Sequence, residues 1–157
     1  MKHIFIGIDP GTTGAIAVLG PQAEVLFVSD TPTIHTLKTG VEKVISQLDY
    51  TPYACVEKVG AFPGQGVVST FSFGFIAGAA HGILIAYNVP FLTVVPQKWQ
   101  QGILPKGLEL SERKEASIEA AKTRYRDAAK YLTRKKDHGR ADAMHIAAYA
   151  RKYYTLL

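Results

Sequence analysis

The segment Ile4-Phe5-Ile6-Gly7-Ile8-Asp9-Pro10-Gly11 is apolar almost throughout until it reaches an acid and a Pro-Gly pair. A short apolar run without alternation is typical of a central strand that is buried on both faces of a sheet. The glycines of Gly11-Thr12-Thr13-Gly14 then predict a tight turn. This part of the chain therefore predicts a buried strand that carries Asp9 at its carboxyl end.

The sequence downstream alternates between strand and helix patterns. Apolar runs bounded by turn residues predict further strands at residues 15–19, 24–28, 53–56 and 91–95. Apolar spacing, Pro96 at a first helical position and Ser111 as a cap predict helices at residues 37–48, 67–87, 96–99, 112–125 and 138–154. This order predicts an α/β fold, with a mixed five-stranded sheet and helices on both faces, in one domain over residues 1–157.

Composition argues against several classes of protein. The 157 residues are 47% hydrophobic and 20% charged, which is typical of a globular protein and not of a disordered one. A single cysteine, Cys55 in an apolar run, excludes a disulfide-stapled fold and a cysteine-cage zinc site. We expect no membrane span, because Gly, His and Asn interrupt the apolar residues 74–89, and no signal peptide. A soluble protein of a reducing compartment is the expectation.

Positive charge is concentrated in the second half of the chain. Residues 1–90 contain 4 Lys and Arg against 6 Asp and Glu, whereas residues 91–157 contain 14 against 7. This distribution favours a polyanionic partner over a merely soluble basic surface.

Asp9 and Glu57 each stand at the carboxyl end of a predicted buried strand. In open α/β sheets this edge is where ligands bind. Two carboxylates brought together there would repel unless a proton or a cation lay between them. An Asp before Pro-Gly is often only a turn residue, but two acids at equivalent strand ends favour a Mg²⁺ site, since Mg²⁺ prefers oxygen ligands.

The last predicted helix carries a third acid, within Asp137-His138-Gly139-Arg140-Ala141-Asp142. At about 100° per residue, His138 and Asp142 lie about 40° apart and share one face of the helix. Asp137 lies about 140° from Asp142, which is more compatible with capping the helix. The alanines of this helix would allow it to pack close to the sheet and to bring Asp142 to the strand ends.

These residues together predict a carboxylate-rich site for one or two divalent metals. The candidates for both catalysis and metal binding are Asp9, Glu57, His138 and Asp142. In two-metal phosphodiester hydrolysis, ions about 3.5–4 Å apart stabilise the attacking and leaving oxygens. His138 could bind a metal, orient the water or accept its proton.

Three motifs resemble those of RuvC-type Holliday junction resolvases, of the RNase H-like or retroviral integrase superfamily. They are Ile6-Gly7-Ile8-Asp9-Pro10-Gly11, Val56-Glu57 and His138-Gly139-Arg140-Ala141-Asp142-Ala143. The resemblance is strongest to the phage and organellar branch, including the monokaryotic chloroplast resolvase. In that branch Lys-Lys-Asp-His-Gly-Arg-Ala precedes the last acid, and a segment similar to Val94-Val95-Pro96-Gln97-Lys98-Trp99 follows the fifth strand.

The resemblance implies an RNase H-like fold and a homodimer that resolves four-way DNA junctions by paired, symmetric nicks. It implies Mg²⁺ as cofactor, with Mn²⁺ as a substitute, held by Asp9, Glu57 and Asp142. Bacterial members commonly have another acid three residues before the last, where this chain has Gly139. His138 is the candidate replacement, with Asp137 as the alternative. The expected location is the cytoplasm of a bacterial or phage-infected cell. The sequence does not identify a helicase partner.

Other residues are candidates for contact with DNA or a second subunit. Small residues within 74–82 favour either close packing on the chain's own sheet or self-association of the long helix. Phe62 could stack on or wedge between bases, or pack on the core, and Trp99 is expected to be a packing anchor. The candidate phosphate contacts are Lys98, Arg113, Lys114, Lys135, Lys136 and Arg140.

Three alternatives stay open. Residues 7–14 also resemble the first phosphate loop of actin-like and sugar-kinase ATPases, which need a far longer, two-lobed chain. A non-cleaving module could bind branched DNA with the same fold, although three unneutralised carboxylates would repel phosphate. A related RNase H-like nuclease would act on RNA–DNA hybrids or flaps, and only a comparison of substrates separates it from a resolvase.

Overall fold

The computed structural model describes residues 2–31, 33–46, 49–58, 60–61 and 63–156. The strands are β1 (Lys2–Asp9), β2 (Ala15–Leu19), β3 (Val25–Asp30), β4 (Tyr50–Glu57) and β5 (Phe91–Val94). The helices are α1 (Ile34–Ile45), α2 (Val67–Ala86), α3 (Pro96–Gln100), α4 (Leu110–Arg124) and α5 (His138–Tyr154). Two short 3-10 turns, Ala128–Tyr131 and Lys135–Asp137, lie between α4 and α5.

Strand β1 lies at the centre of the sheet, whose strand order is β3-β2-β1-β4-β5. It pairs antiparallel with β2 and parallel with β4, and β5 continues the sheet parallel to β4. The parallel register pairs Ile8 with Val56, so that Asp9 and Glu57 follow at the same edge. The mixed five-stranded sheet predicted from the sequence is therefore confirmed.

Helices cover both faces of the sheet, as predicted. On one face, Ile6 and Ile8 share an apolar cluster with Leu37 of α1 and Leu84 of α2. On the other face, α4 and α5 pack over the alanines of β2, and a neighbouring cluster includes Cys55. The predicted burial of this thiol is confirmed, and burial raises its pKa to about 12.

Helix α5 lies directly on β1, because the contact is made at a glycine. A Cβ atom added to Gly7 would lie 2.0 Å from the carbonyl oxygen of Ala143 and 2.3 Å from the amide nitrogen of Ala147. At the start of the helix, a Cβ atom on Gly139 would lie 1.9 Å from the carbonyl oxygen of Thr13. The predicted close packing of this helix is confirmed, and it holds the first turns of α5 near the carboxyl end of β1.

Some element boundaries differ from the sequence predictions. The predicted cap at Ser111 is wrong, because α4 begins at Leu110 and the Glu112 carboxylate accepts a hydrogen bond from the Glu109 amide at 2.9 Å. Helix α1 begins three residues earlier than predicted, after the cap residue Thr33. The end predicted for that helix, at residue 48, lies outside the described residues.

Helix α2 departs most from the sequence expectations. Its 20 residues are long and apolar enough to cross a membrane, so the expectation that no apolar run reaches that length is wrong by this measure. A core helix of a soluble protein passes the same test, but the buried residues of α2 are Ile76, Ala80 and Leu84. Phe71 is 72% exposed and Phe75 is 57% exposed. An exposed apolar surface of this kind is typical of an interaction site.

Candidate active site

Three acids from separate elements share one electrostatic environment. Asp9 and Glu57 end the neighbouring strands β1 and β4, and α5 carries Asp142 one turn after its start. Burial raises the pKa of Asp9 well above its ordinary value, and the nearby carboxylates of Asp142 and Glu57 raise it further. The structure therefore brings together the three acids that the sequence analysis selected.

Burial raises the pKa of the other two acids as well. It raises the pKa of Asp142 to about 7, with a hydrogen bond from Ser117 opposing the shift and the charge of Glu57 adding to it. It also raises the pKa of Glu57, where a hydrogen bond from Trp99 opposes the shift. Buried acids that raise one another's pKa values are typical of functional sites. A bound cation would offset the burial and the mutual repulsion that raise these pKa values.

Each of two acids is held by one side-chain donor. Trp99 Nε1 donates a hydrogen bond to Glu57 Oε2 at 2.6 Å, and Ser117 Oγ donates to Asp142 Oδ1 at 2.5 Å. A carboxylate has two oxygens, and within the described residues the second oxygen of each acid has no hydrogen-bond donor. These oxygens are available to a further ligand.

The donor set fits a hard divalent cation, although the side chains do not form a cage. Among the described residues, no group of three or more His, Cys, Asp and Glu side chains is arranged to hold a metal ion. The site nevertheless offers carboxylate oxygens whose negative charge is disfavoured by burial and by neighbouring acids. Mg²⁺ and Mn²⁺ are bound through carboxylates of this kind. The metal-binding roles predicted for Asp9, Glu57 and Asp142 stay predictions.

Asp137 and His138 differ in how far they are free to act as a further ligand. The Asp137 carboxylate accepts hydrogen bonds from the Arg134 side chain at 2.6 and 2.9 Å and from the amides of Thr133 and Arg134. Burial opposes its ionisation, but these hydrogen bonds outweigh burial and lower the pKa of Asp137. Asp137 therefore holds the turn before α5, which leaves His138 as the candidate ligand.

His138 is half-buried at the start of α5. Burial, followed by the positive charge of Lys114, lowers the pKa of its imidazole, which favours the neutral ring. Neutral imidazole is the form that binds a metal or accepts a proton. Its predicted role in the site is chemically available and stays a prediction.

The predicted phosphate contacts occupy different surroundings. Lys114 acts electrostatically on both His138 and Asp142, so its ammonium group lies near these two side chains. Five of the candidates have exposed side chains: Lys98, Arg113, Lys114, Lys135 and Lys136. Phe62, the predicted base-stacking residue, lies outside the described residues.

Arg140 is already engaged inside the chain. Its guanidinium donates to both carboxylate oxygens of Asp30, at 2.7 and 2.8 Å, and to the carbonyl oxygen of Tyr131 at 3.0 Å. This pair joins the end of β3 to the first turn of α5. A phosphate contact by Arg140 would have to compete with it, so the structure favours an anchoring role over the predicted one.

Two residues of the site were not assigned to it by the sequence analysis. Trp99 was expected to be a packing anchor, and it is 3% exposed, but it also donates to Glu57. Ser117 was not selected at all. Its position beside the buried Ile118 and Ala121 of α4 is a usable signal, because a serine on the buried face of a helix needs a polar partner.

The comparisons with known proteins agree on one fold. No family model matches the chain. The chain is 30% identical over 98 residues to the chloroplast Holliday junction resolvase MOC1 of Chlamydomonas reinhardtii. Two solved structures of Thermus thermophilus RuvC are similar over 98% of this chain and 96% of theirs. The one in complex with Holliday junction substrate has a TM-score of 0.68 at 16% identity, and the other has 0.65 at 19%.

The matched regions differ greatly in extent. The sequence match covers 62% of this chain but 11% of the algal protein, whereas the structural match is nearly end to end. These findings confirm the RNase H-like fold and the resemblance to RuvC-type resolvases that the three motifs indicated.

Proposed function

We propose, from this RuvC-type fold, that the protein is a divalent-metal-dependent endonuclease that resolves four-way DNA junctions by paired, symmetric nicks. The observation that carries the proposal is the buried group of Asp9, Glu57 and Asp142, whose pKa values are raised at one edge of the sheet. An arrangement that is unfavourable without a cation is expected where a metal is needed for chemistry.

The acids and His138 would hold one or two Mg²⁺ or Mn²⁺ ions. When bound, such ions lower the pKa of an attacking water and stabilise the charge on the leaving oxygen of a phosphodiester. Trp99 and Ser117 orient the carboxylates of Glu57 and Asp142 through hydrogen bonds. Neutral His138 accepts a proton or completes the ligand set, and Lys114 attracts the phosphate to the buried acids.

DNA outside the site would be held mainly through its phosphates. Lys135 and Lys136 lie on the exposed turn that leads into α5, within three residues of His138. Lys98, in α3 and next to Trp99, and Arg113, at the start of α4, are exposed as well. Contacts of this kind position a strand and depend on salt, without reading the base sequence.

The exposed surface of α2 would form the homodimer. Its apolar residues Phe71, Phe75 and Ile85 are more than half exposed, and an added Cβ on Gly74 or Gly78 would meet nothing within 4 Å. Each glycine in the interior of a helix destabilises it by about 1 kcal/mol relative to alanine. Close approach of a second chain would explain why α2 contains them. A two-fold dimer matches the two-fold symmetry of a four-way junction.

The experiment that tests the proposal compares substrates. A labelled four-way junction, a linear duplex and an RNA–DNA hybrid are incubated with Mg²⁺, with Mn²⁺ or with EDTA. We expect symmetric nicks in opposite strands of the junction, only with a divalent metal. Tight junction binding without nicks would instead favour a non-cleaving module, and cutting of the hybrid would favour an RNase H-like nuclease.

A further inference from the structure

A buried histidine lies behind the candidate active site and has no part in the chemistry proposed above. His145 of α5 is fully buried, and both its ring nitrogens have partners. Nε2 lies 3.0 Å from the carbonyl oxygen of Ser117, and Nδ1 lies 2.8 Å from the hydroxyl of Tyr125. A carbonyl oxygen only accepts, so Nε2 donates to Ser117. Burial lowers the pKa of the ring to about 4, so the ring is neutral at pH 7 and Nδ1 accepts from the Tyr125 hydroxyl.

The same ring supports the donors of two acids. Through Nε2 it holds the backbone of Ser117, whose hydroxyl donates to Asp142. Through its face it stacks on Trp99, with ring centroids 5.8 Å apart and planes inclined by 14°, and the Trp99 indole donates to Glu57. One imidazole on α5 thus links α4 and α3 to carboxylates that belong to α5 and β4.

We propose that His145 is a positioning residue that fixes the carboxylates of Glu57 and Asp142, through Trp99 and Ser117, for binding a shared divalent cation. This rests on the proposed function of the same site. Each donor holds one carboxylate oxygen and leaves the other for the cation, so the two acids cannot turn away from each other to reduce their repulsion. Groups that orient metal ligands in this way typically contribute 10- to 100-fold to affinity or activity.

A purely space-filling role does not explain the polar contacts of the ring. A leucine or phenylalanine would fill the same volume without requiring partners from Ser117 and Tyr125. A buried imidazole is costly unless its polar atoms are bonded, and here both of them are. The arrangement is the one needed to hold the α4 backbone and the indole in fixed positions behind the acids.

The test measures Mn²⁺ binding by titration calorimetry, and junction nicking separately, on variants of the whole chain. Trp99→Phe keeps the stack on His145 but removes the donor to Glu57, and Ser117→Ala removes the donor to Asp142. His145→Phe keeps a ring against Trp99 and removes both hydrogen bonds of the imidazole, whereas His145→Gln retains an amide donor for the Ser117 carbonyl.

We expect the Mn²⁺ dissociation constant to rise about tenfold or more in Trp99→Phe, Ser117→Ala and His145→Phe, with partial recovery in His145→Gln. The kcat for nicking should fall to a similar degree, while junction affinity in EDTA stays within about twofold. The matched control is Tyr87→Phe, which removes an aromatic donor from Glu42, on α1 and away from the site. It should leave Mn²⁺ binding unchanged.

Thermal unfolding in EDTA separates positioning from folding. Ser117→Ala deletes one hydroxyl, so a rise in its Mn²⁺ dissociation constant at an unchanged unfolding temperature supports the proposal. If His145→Phe does not fold, the test of the positioning role rests on Mn²⁺ binding by the two donor variants, Trp99→Phe and Ser117→Ala. Donor variants that bind Mn²⁺ as tightly as Tyr87→Phe overturn the positioning role while the wild-type chain still nicks junctions. A wild-type chain that neither binds Mn²⁺ nor nicks overturns the proposed function itself, and the positioning role with it.

Discussion

Helices α5 and α2 are both rich in small residues, but they use them in opposite ways. On α5, the backbone at Ala143 and Ala147 lies so close to β1 that the strand tolerates only Gly7. On α2, an added Cβ at Gly74, Gly78 or Gly82 would meet nothing within 4 Å. A row of small residues therefore indicates close approach of another element, but it does not say whether that element belongs to the same chain.

The largest expected effect comes from adding a side chain at Gly7, where β1 contacts α5. Gly7→Ala places a methyl group against backbone atoms that cannot rotate away, so we expect a loss of at least about 3 kcal/mol in the free energy of unfolding, or failure to fold. Gly78→Ala is the matched control on α2. It should stabilise the monomer by up to about 1 kcal/mol, because alanine favours helix and the space is open. Urea unfolding of both variants checks this, and equal effects would remove the contrast between the helices.

Asp142→Asn tests the functional face of α5, and it should act in opposite directions on activity and stability. We expect nicking to fall by about 10³-fold or more, comparable with removal of other electrostatic groups in active sites, while junction binding persists. The variant chain should also be more stable without metal at pH 8.

The sign of that stability change follows from the pKa of Asp142. The folded chain holds this carboxyl with a pKa of about 7, against an ordinary value of 3.8. Stability of the metal-free wild type therefore falls as the pH rises from about 4 to 7, by a few kcal/mol at most, and stays lower above pH 7. Asparagine removes this loss. Urea unfolding in EDTA at pH 4 and pH 8 measures it, and a gap that does not widen with pH would contradict the raised pKa.

The exposed face of α2 should matter for assembly and little for folding. Phe71→Glu places a charge where the proposed dimer interface lies, so we expect a shift from dimer to monomer and uncoupled nicks in the two strands. Leu110→Glu, at an exposed apolar position on α4, is the control. Analytical ultracentrifugation checks the mass of each variant, and a Phe71→Glu chain that stays dimeric would place the interface elsewhere.

The smallest effect is expected from the lysines before α5. Lys135→Ala with Lys136→Ala should weaken junction binding and reduce the slope of log affinity against log salt by about two, since each phosphate contact contributes about one. Arg140→Ala should instead lower the free energy of unfolding, because the buried Asp137 and the exposed Asp30 would both lose the guanidinium of Arg140 as an ion-pair partner. Salt titrations of binding separate the two. An unchanged slope would remove these lysines from the DNA contacts.

Much of the candidate site could be predicted because its acids follow local patterns. An apolar run ending at Asp9 and a second run ending at Glu57 each predict a buried strand. In the structure these strands are parallel neighbours, so both acids reach one edge of the sheet. Asp142 required one more step, the close packing of an alanine-rich helix. The prediction that Ser111 caps α4 was wrong because neighbouring residues can cap the same helix. In the structure Glu109 is the cap residue, and the Glu112 carboxylate accepts a hydrogen bond from its amide.

The sequence by itself determined the order of strands and helices along the chain, the position of the three acids within these elements and the resemblance to RuvC-type resolvases. These depend on residues that are near one another in the chain, where hydrophobic periodicity and motif spacing act. The tertiary structure decided which charged groups are already paired, as in Arg140 with Asp30, and which donors hold the acids. It also decided that α2 stays exposed. Such contacts join residues that are 25 to 110 positions apart. Packing in three dimensions sets them, and no local pattern encodes the partner.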